Sequence, residues 1–132
     1  MPSAPPEPDY RPLVLIVDDN EKNLKLARDV LRSRGFETLE AASGTEGIAL
    51  ATEHLPDVVL LDLRLRDMDG VQVTRKLAGD PQTAPIPVVA LSALPLEGGS
   101  DWLESVGFAG YIEKPISIAR FSDAVRGYCV DR

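Results

Sequence analysis

Four apolar residues in a row, Val58-Val59-Leu60-Leu61, stand between Pro56-Asp57 and Asp62. A run so short and so wholly apolar fits a strand covered on both faces, which is what a parallel sheet requires. The strand ends where the run ends, so Asp62 falls at its carboxyl end. In open α/β sheets, ligands bind in the crevice beyond that edge. A lone aspartate there could equally cap a helix or sit in a surface loop, and its neighbours must decide.

A second apolar run, Leu13-Val14-Leu15-Ile16-Val17, ends directly in Asp18-Asp19-Asn20. Asn20 suits a helix N-cap, and Leu24, Ala27 and Leu31 recur at helical spacing until Gly35. Phe36 to Ala41 is more polar and only loosely alternating, as an edge strand would be. Ser43-Gly44-Thr45-Glu46 reads as a capping box opening a helix through about Glu53. After the Asp62 strand, Asp69 caps a third helix with Val73 and Leu77 inward. Ile86 to Leu91 is a fourth strand ending at Ser92, with its prolines near the start, where a lost donor does least damage. The next helix is poor, since Gly98 and Gly99 weaken it, yet Trp102, Leu103 and Val106 still need a core. Ala109 to Glu113 is a fifth strand running into Lys114-Pro115, and Ser117 caps a last helix with Ile118, Phe121 and Val125 on one face. Five alternations of strand and helix predict an α/β fold with a doubly wound parallel sheet.

At 132 residues the chain is one domain of ordinary size. Its 44% hydrophobic and 27% charged residues place it in the globular class, and a net charge of −7 argues against direct nucleic-acid binding. No apolar run approaches the ~18 residues of a membrane span, and no signal segment opens the chain. One cysteine, Cys129, permits no internal disulfide, so a cytoplasmic setting is the simplest. Cys129 reads as an inert residue near a helix end, His54 as a surface residue and Trp102 as local packing. Residues 1–12 hold five prolines and read as a flexible tail, leaving 13–129 as the domain and 130–132 as a short C-terminal tail.

With right-handed crossovers the strand ends share one edge. That edge then carries Asp18 and Asp19, Asp62, Ser92 and Lys114. Carboxylates gathered together repel, and a hard divalent cation such as Mg²⁺ is the usual remedy. No phosphate-cradling glycine loop is present, so a nucleotide is not the obvious guest. A carboxylate beside a cation, with an ammonium and a hydroxyl opposite, suits attack on phosphorus. The plainer reading of Asp18 and Asp19 is that they favour a helix start. That of Ser92 is a turn residue, of Lys114 a solvated lysine, and of Tyr111 edge-strand packing.

The pieces Val17-Asp18-Asp19-Asn20, Leu61-Asp62, Met68-Asp69-Gly70, Leu91-Ser92-Ala93 and Tyr111-Ile112-Glu113-Lys114-Pro115 occur in an order that resembles the receiver domains of two-component response regulators. Each piece is weak alone, and five in register are strong. The resemblance implies a CheY-like sheet of order 2-1-3-4-5 flanked by five helices. It implies a phosphorylatable switch, not an enzyme in its own right, that assists its own phosphorylation and dephosphorylation. Asp62 would accept a phosphoryl group from a phosphohistidine on a sensor histidine kinase or histidine phosphotransfer protein. Asp19, Asp62 and the Arg64 backbone carbonyl would ligate Mg²⁺ (or Mn²⁺), with Asp18 acting partly through water. Ser92 and Lys114 would each bond a phosphoryl oxygen, Tyr111 would be the switch aromatic, and the Lys114-Pro115 bond would be cis. Output would leave through the fourth helix, fifth strand and fifth helix to a downstream protein or through self-association, because no further domain follows. Among stand-alone regulators, Asp18-Asp19-Asn20-Glu21 and Lys114-Pro115-Ile116-Ser117 lean toward the cell-division type.

Two departures qualify the resemblance. Arg66 stands where the family usually has proline, so the loop after Asp62 is expected to be less rigid or to carry a charge toward partners. Arg64 and Leu94 would lie beside the phosphate and set its lifetime. Two other classes compete with the switch. One is a constitutive binding module that keeps the acidic site as a relic, against which the intact set of Asp18, Asp19, Asp62, Ser92 and Lys114 speaks. The other is a phosphate-ester hydrolase of the haloacid-dehalogenase type, which wants a second acid two residues after the nucleophile, where this chain has Arg64.

Overall fold

A computed structural model describes residues 11–63, 65, 67–92, 99–113 and 118–129. Strand and helix alternate as β1 (Leu13–Val17), α1 (Glu21–Ser33), β2 (Glu37–Ala41), α2 (Gly44–His54), β3 (Val58–Asp62), α3 (Gly70–Ala78), β4 (Val88–Ser92), α4 (Gly99–Val106), β5 (Gly110–Glu113) and α5 (Ile118–Cys129). All pairings are parallel, and the sheet order is β2-β1-β3-β4-β5. This is the doubly wound arrangement expected from the five alternations, and the strand order reverses between β1 and β3. Ligands in such sheets bind at that reversal.

Strand pleating splits the apolar residues between two cores. Val14, Ile16, Val58, Leu60, Val89 and Leu91 face α1 and α5, where they meet Leu24, Ala27, Leu31, Phe121 and Val125. Leu15, Val17, Val59, Leu61, Val88 and Ala90 face the other helices, meeting Ala51, Val73, Leu77 and Leu103. Every residue of β3 is buried, which is why its sequence shows no alternation.

A polar clamp fixes the start of the central pair. Leu13 N–H donates to Asp57 Oδ2 at 2.7 Å, and Asp57 N–H donates to the Leu13 carbonyl at 2.8 Å. The register that follows pairs Val17 with Leu61, so the residues just beyond, Asp18 and Asp62, emerge side by side. Pro12, assigned by sequence to the tail, is buried and its carbonyl accepts from Glu37 N–H at 2.9 Å. The expected tails over 1–10 and 130–132 lie outside the described residues.

Helix starts follow the sequence closely. Asn20 caps α1 by accepting from Lys22 and Asn23 N–H, and Gly35, at φ +92°, turns the chain away from its end. Ser43 Oγ caps α2 by accepting from Glu46 N–H at 3.1 Å, but Glu46 reaches back to Ala42 N–H at 2.8 Å instead of to that of Ser43. The full reciprocal box appears on α3, between Asp69 and Gln72. β4 begins at Val88 although the apolar run begins at Ile86. Pro87 has no N–H for the ladder, yet its carbonyl accepts from Val59 N–H at 3.0 Å. α4 is only eight residues long and starts at Gly99, in line with the weak helix expected there.

Candidate acidic phosphoacceptor site

β1 delivers Asp18 and Asp19 to the carboxyl edge of the sheet, and β3 delivers Asp62 as its last residue. One carboxylate oxygen from each of the three lies within 4.8 Å of the other two. Asp18 is fully buried, Asp62 is 8% exposed and Asp19 is half-buried. Asp18 N–H donates to the Ala41 carbonyl at 3.0 Å, continuing the ladder toward β2 by one residue. Asp18 Oδ1 accepts from Asn20 N–H at 2.9 Å. Asn20, not either aspartate, caps α1, so the plain capping reading of Asp18 and Asp19 does not hold.

Gathering carboxylates at this spacing is costly without a cation, since two like charges 4–5 Å apart repel by roughly 3–4 kcal/mol at an effective dielectric of about 20. The donor set fits Mg²⁺ or Mn²⁺: the oxygens are hard, they converge from two strand ends, and Asp19 is only half-buried. Zinc would want nitrogen or sulfur, and the only histidine of the chain, His54, ends α2, half of its side chain exposed beside Glu53 at 3.9 Å.

The other expected site residues sort as follows. Ser92 is the last residue of β4, at the same edge, and its side chain lies outside the described residues. Arg64, Leu94, Lys114 and Pro115 lie outside them as well. Tyr111 is on β5 opposite Ala90 and is 44% exposed. Cys129 is buried at the end of α5.

One side chain near the site was not singled out from sequence. Asp67, in the loop leaving Asp62, reaches across to the first turn of α2. Its Oδ1 accepts from Gly44 N–H at 2.8 Å, and its Oδ2 accepts from Thr45 N–H at 3.0 Å and from Thr45 Oγ1 at 2.9 Å. These backbone bonds, with the Thr45 hydroxyl, hold its carboxyl well below the usual range, at about 2. A depressed pKa means the anchor stabilises the fold fully above pH 3.8 and loses that contribution as pH falls toward about 2. The stability gap between the native chain and Asp67→Asn, followed by urea unfolding, should therefore be full near neutrality and shrink through that window. A gap that stays constant through it would contradict the assignment.

Comparison with known proteins agrees with this geometry. Residues 14–126 match the response regulator receiver domain family. The polar-differentiation response regulator DivK of Brucella ovis is 41% identical over 118 residues, covering 89% of this chain and 96% of that protein. DivK of Brucella anthropi is 40% identical over the same length. Among solved structures, the receiver domain of the sensor histidine kinase PA1611 from Pseudomonas aeruginosa superposes with a TM-score of 0.83 at 26% identity, covering 92% of this chain and 99% of that one. That structure holds a magnesium ion coordinated in its active site cleft. The chemotaxis regulator CheY4 of Vibrio cholerae shares the fold, with a TM-score of 0.84 at 23% identity over 90% of this chain and 99% of its own. With the reversed strand order, the acidic trio at the reversal and a match spanning nearly its whole length, this chain belongs to the response regulator receiver domain family.

Proposed function

We propose that the protein is a phosphorylation switch of a two-component or phosphorelay pathway and that Asp62 is its phosphoacceptor. The observation that carries this reading is the meeting of Asp18, Asp19 and Asp62 at one strand edge of a receiver domain. Asp62 attacks the phosphorus of a phosphohistidine on a sensor histidine kinase or a histidine phosphotransfer protein. A new P–O bond forms, the P–N bond breaks and the imidazole leaves, carrying its electron pair. Asp19, Asp62 and the Arg64 carbonyl would hold Mg²⁺ or Mn²⁺, with Asp18 acting partly through water. When bound, the cation neutralises charge on the transferred group. The Ser92 hydroxyl and the Lys114 ammonium would each donate a hydrogen bond to a phosphoryl oxygen, and the same groups assist both gain and loss of phosphate.

The signal is a population shift driven by new charge at Asp62. Tyr111, exposed as it stands, would bury ring surface on turning inward as Ser92 moves. That couples the site to a face made by α4, β5 and α5, of which α4 is the shortest helix. The receiver unit is residues 13–129, working in the cytoplasm, and no described helix is long and apolar enough to cross a membrane. Output passes to a downstream protein or through a phosphorylation-dependent homodimer. The likeness to DivK favours a role in polar differentiation over one in chemotaxis. The constitutive-module reading is not favoured, because a relic site has no reason to keep three mutually repelling carboxylates together.

The test is incubation with a small acyl phosphate or phosphoramidate in the presence of Mg²⁺, followed by intact-mass analysis. A single phosphoryl adduct should form, fail to form when EDTA is present from the start, and form again when Mn²⁺ is supplied in excess. An adduct indifferent to chelation would refute the cation-assisted reading.

A further inference from the structure

The first turn of α2 touches both halves of the acidic site's support. On one side, a Cβ built on Gly47 would lie 2.8 Å from Val17 Cγ2, so α2 packs directly on the end of β1, next to Asp18. On the other side, Asp67 binds the Gly44 and Thr45 N–H groups and the Thr45 hydroxyl. A Cβ on Gly44 would collide with Met68 Cγ and fall 2.9 Å from Val73 Cγ2, so the following residue of the loop is also seated against this turn. One residue further, Asp69 is tied into α3 by its reciprocal cap with Gln72. The chain leaving Asp62 is thus fastened at Asp67 to the element that abuts β1, and at Asp69 to α3.

We propose that Asp67 is a positioning residue of the phosphoacceptor site: by clamping the loop that leaves Asp62 to α2, it fixes the Asp62 carboxylate relative to Asp18 and Asp19. The inference rests on the reading of that trio as a divalent-cation site. Partners that orient metal ligands from outside the coordination sphere commonly govern cation affinity by about 10–100-fold when removed. Asp67 does so through the backbone of a helix instead of through a ligand side chain. Gly44 belongs to the same device, because any side chain there would push Met68 and the loop outward.

The experiment is Mn²⁺ binding to the full chain, followed by electron paramagnetic resonance, at low and high ionic strength. Asp67→Ala and Gly44→Ala should each weaken binding about tenfold, with circular dichroism unchanged. Asp67→Asn, which retains an acceptor oxygen, should recover part of the loss. Gly44→Ala removes no charge, and a positional effect of Asp67→Ala persists when salt screens through-space attraction. Asp123→Asn, an exposed charge on α5, should leave the affinity unaltered. The proposal is overturned if Asp67→Ala binds Mn²⁺ as the native chain does while Asp62→Asn loses it, or if the Asp67→Ala deficit vanishes in salt. Native binding that Asp62→Asn does not diminish would overturn the cation site itself, and this proposal with it.

Discussion

Asp62→Asn should accept no phosphoryl group from any donor, and in the absence of divalent cation it should be more stable than the native chain. The first half follows because an amide oxygen is a poor nucleophile, and Asp18 and Asp19 are read as cation ligands, not as acceptors. Asp18 is fully buried and engaged with Asn20 N–H. The second half follows from the spacing of the trio. With all three ligand oxygens inside 4.8 Å, neutralising one removes two like-charge repulsions and leaves the side-chain volume unchanged. After solvent screening, a gain of about 1 kcal/mol or more in unfolding free energy is expected, read as a higher urea midpoint. The gain should reverse on adding Mg²⁺, which binds and stabilises only the native sequence by mass action. Loss of acceptor activity without any change in metal-free stability would contradict the electrostatic account of the trio.

The largest effect on stability is expected at Phe121. Its ring is 1% exposed and packs among Val14, Leu60, Val89 and Leu91 under α5. Phe121→Ala should cost about 3–5 kcal/mol, combining lost transfer energy with an unfilled cavity. That is a large share of the roughly 5–15 kcal/mol that holds a typical domain together. The urea midpoint should fall at nearly constant slope. A cost below about 1 kcal/mol would show that α5 closes over the vacancy, and hence that it is held elsewhere. The alternative holder is visible: the Arg126 guanidinium lies 4.7 Å from the Phe36 ring centre and donates to the Arg34 carbonyl at 2.8 Å.

What was legible in the sequence was whatever depends on local pattern. β1 and β3 show themselves as unbroken apolar runs because both faces are covered, and a capping side chain sits within three residues of its partner. The acidic edge follows from five alternations and the rule of right-handed crossovers, whereas the strand order was legible only through the resemblance to receiver domains. What escaped notice depends on contacts distant in sequence. Asp57 bonds a residue 44 positions away, and Asp67 bonds Gly44 from 23 positions away. Each looked like an ordinary loop acid. The available signal for Asp67 was its place in Asp67-Met68-Asp69-Gly70, more acidic than one cap requires, with the bare amides of Gly44-Thr45 elsewhere in need of an acceptor. Arg66 itself lies outside the described residues, and the residue after it, Asp67, is fastened to α2.

The central claim is that phosphorus comes to rest on one particular carboxylate, and borohydride reduction of the phosphorylated protein reads that directly. The reagent converts an acyl phosphate to the corresponding alcohol, so peptide mass spectrometry should find homoserine at position 62 and at no other aspartate. Homoserine at position 18 or 19, or a phosphoryl group that survives reduction on a histidine or serine, would contradict the account.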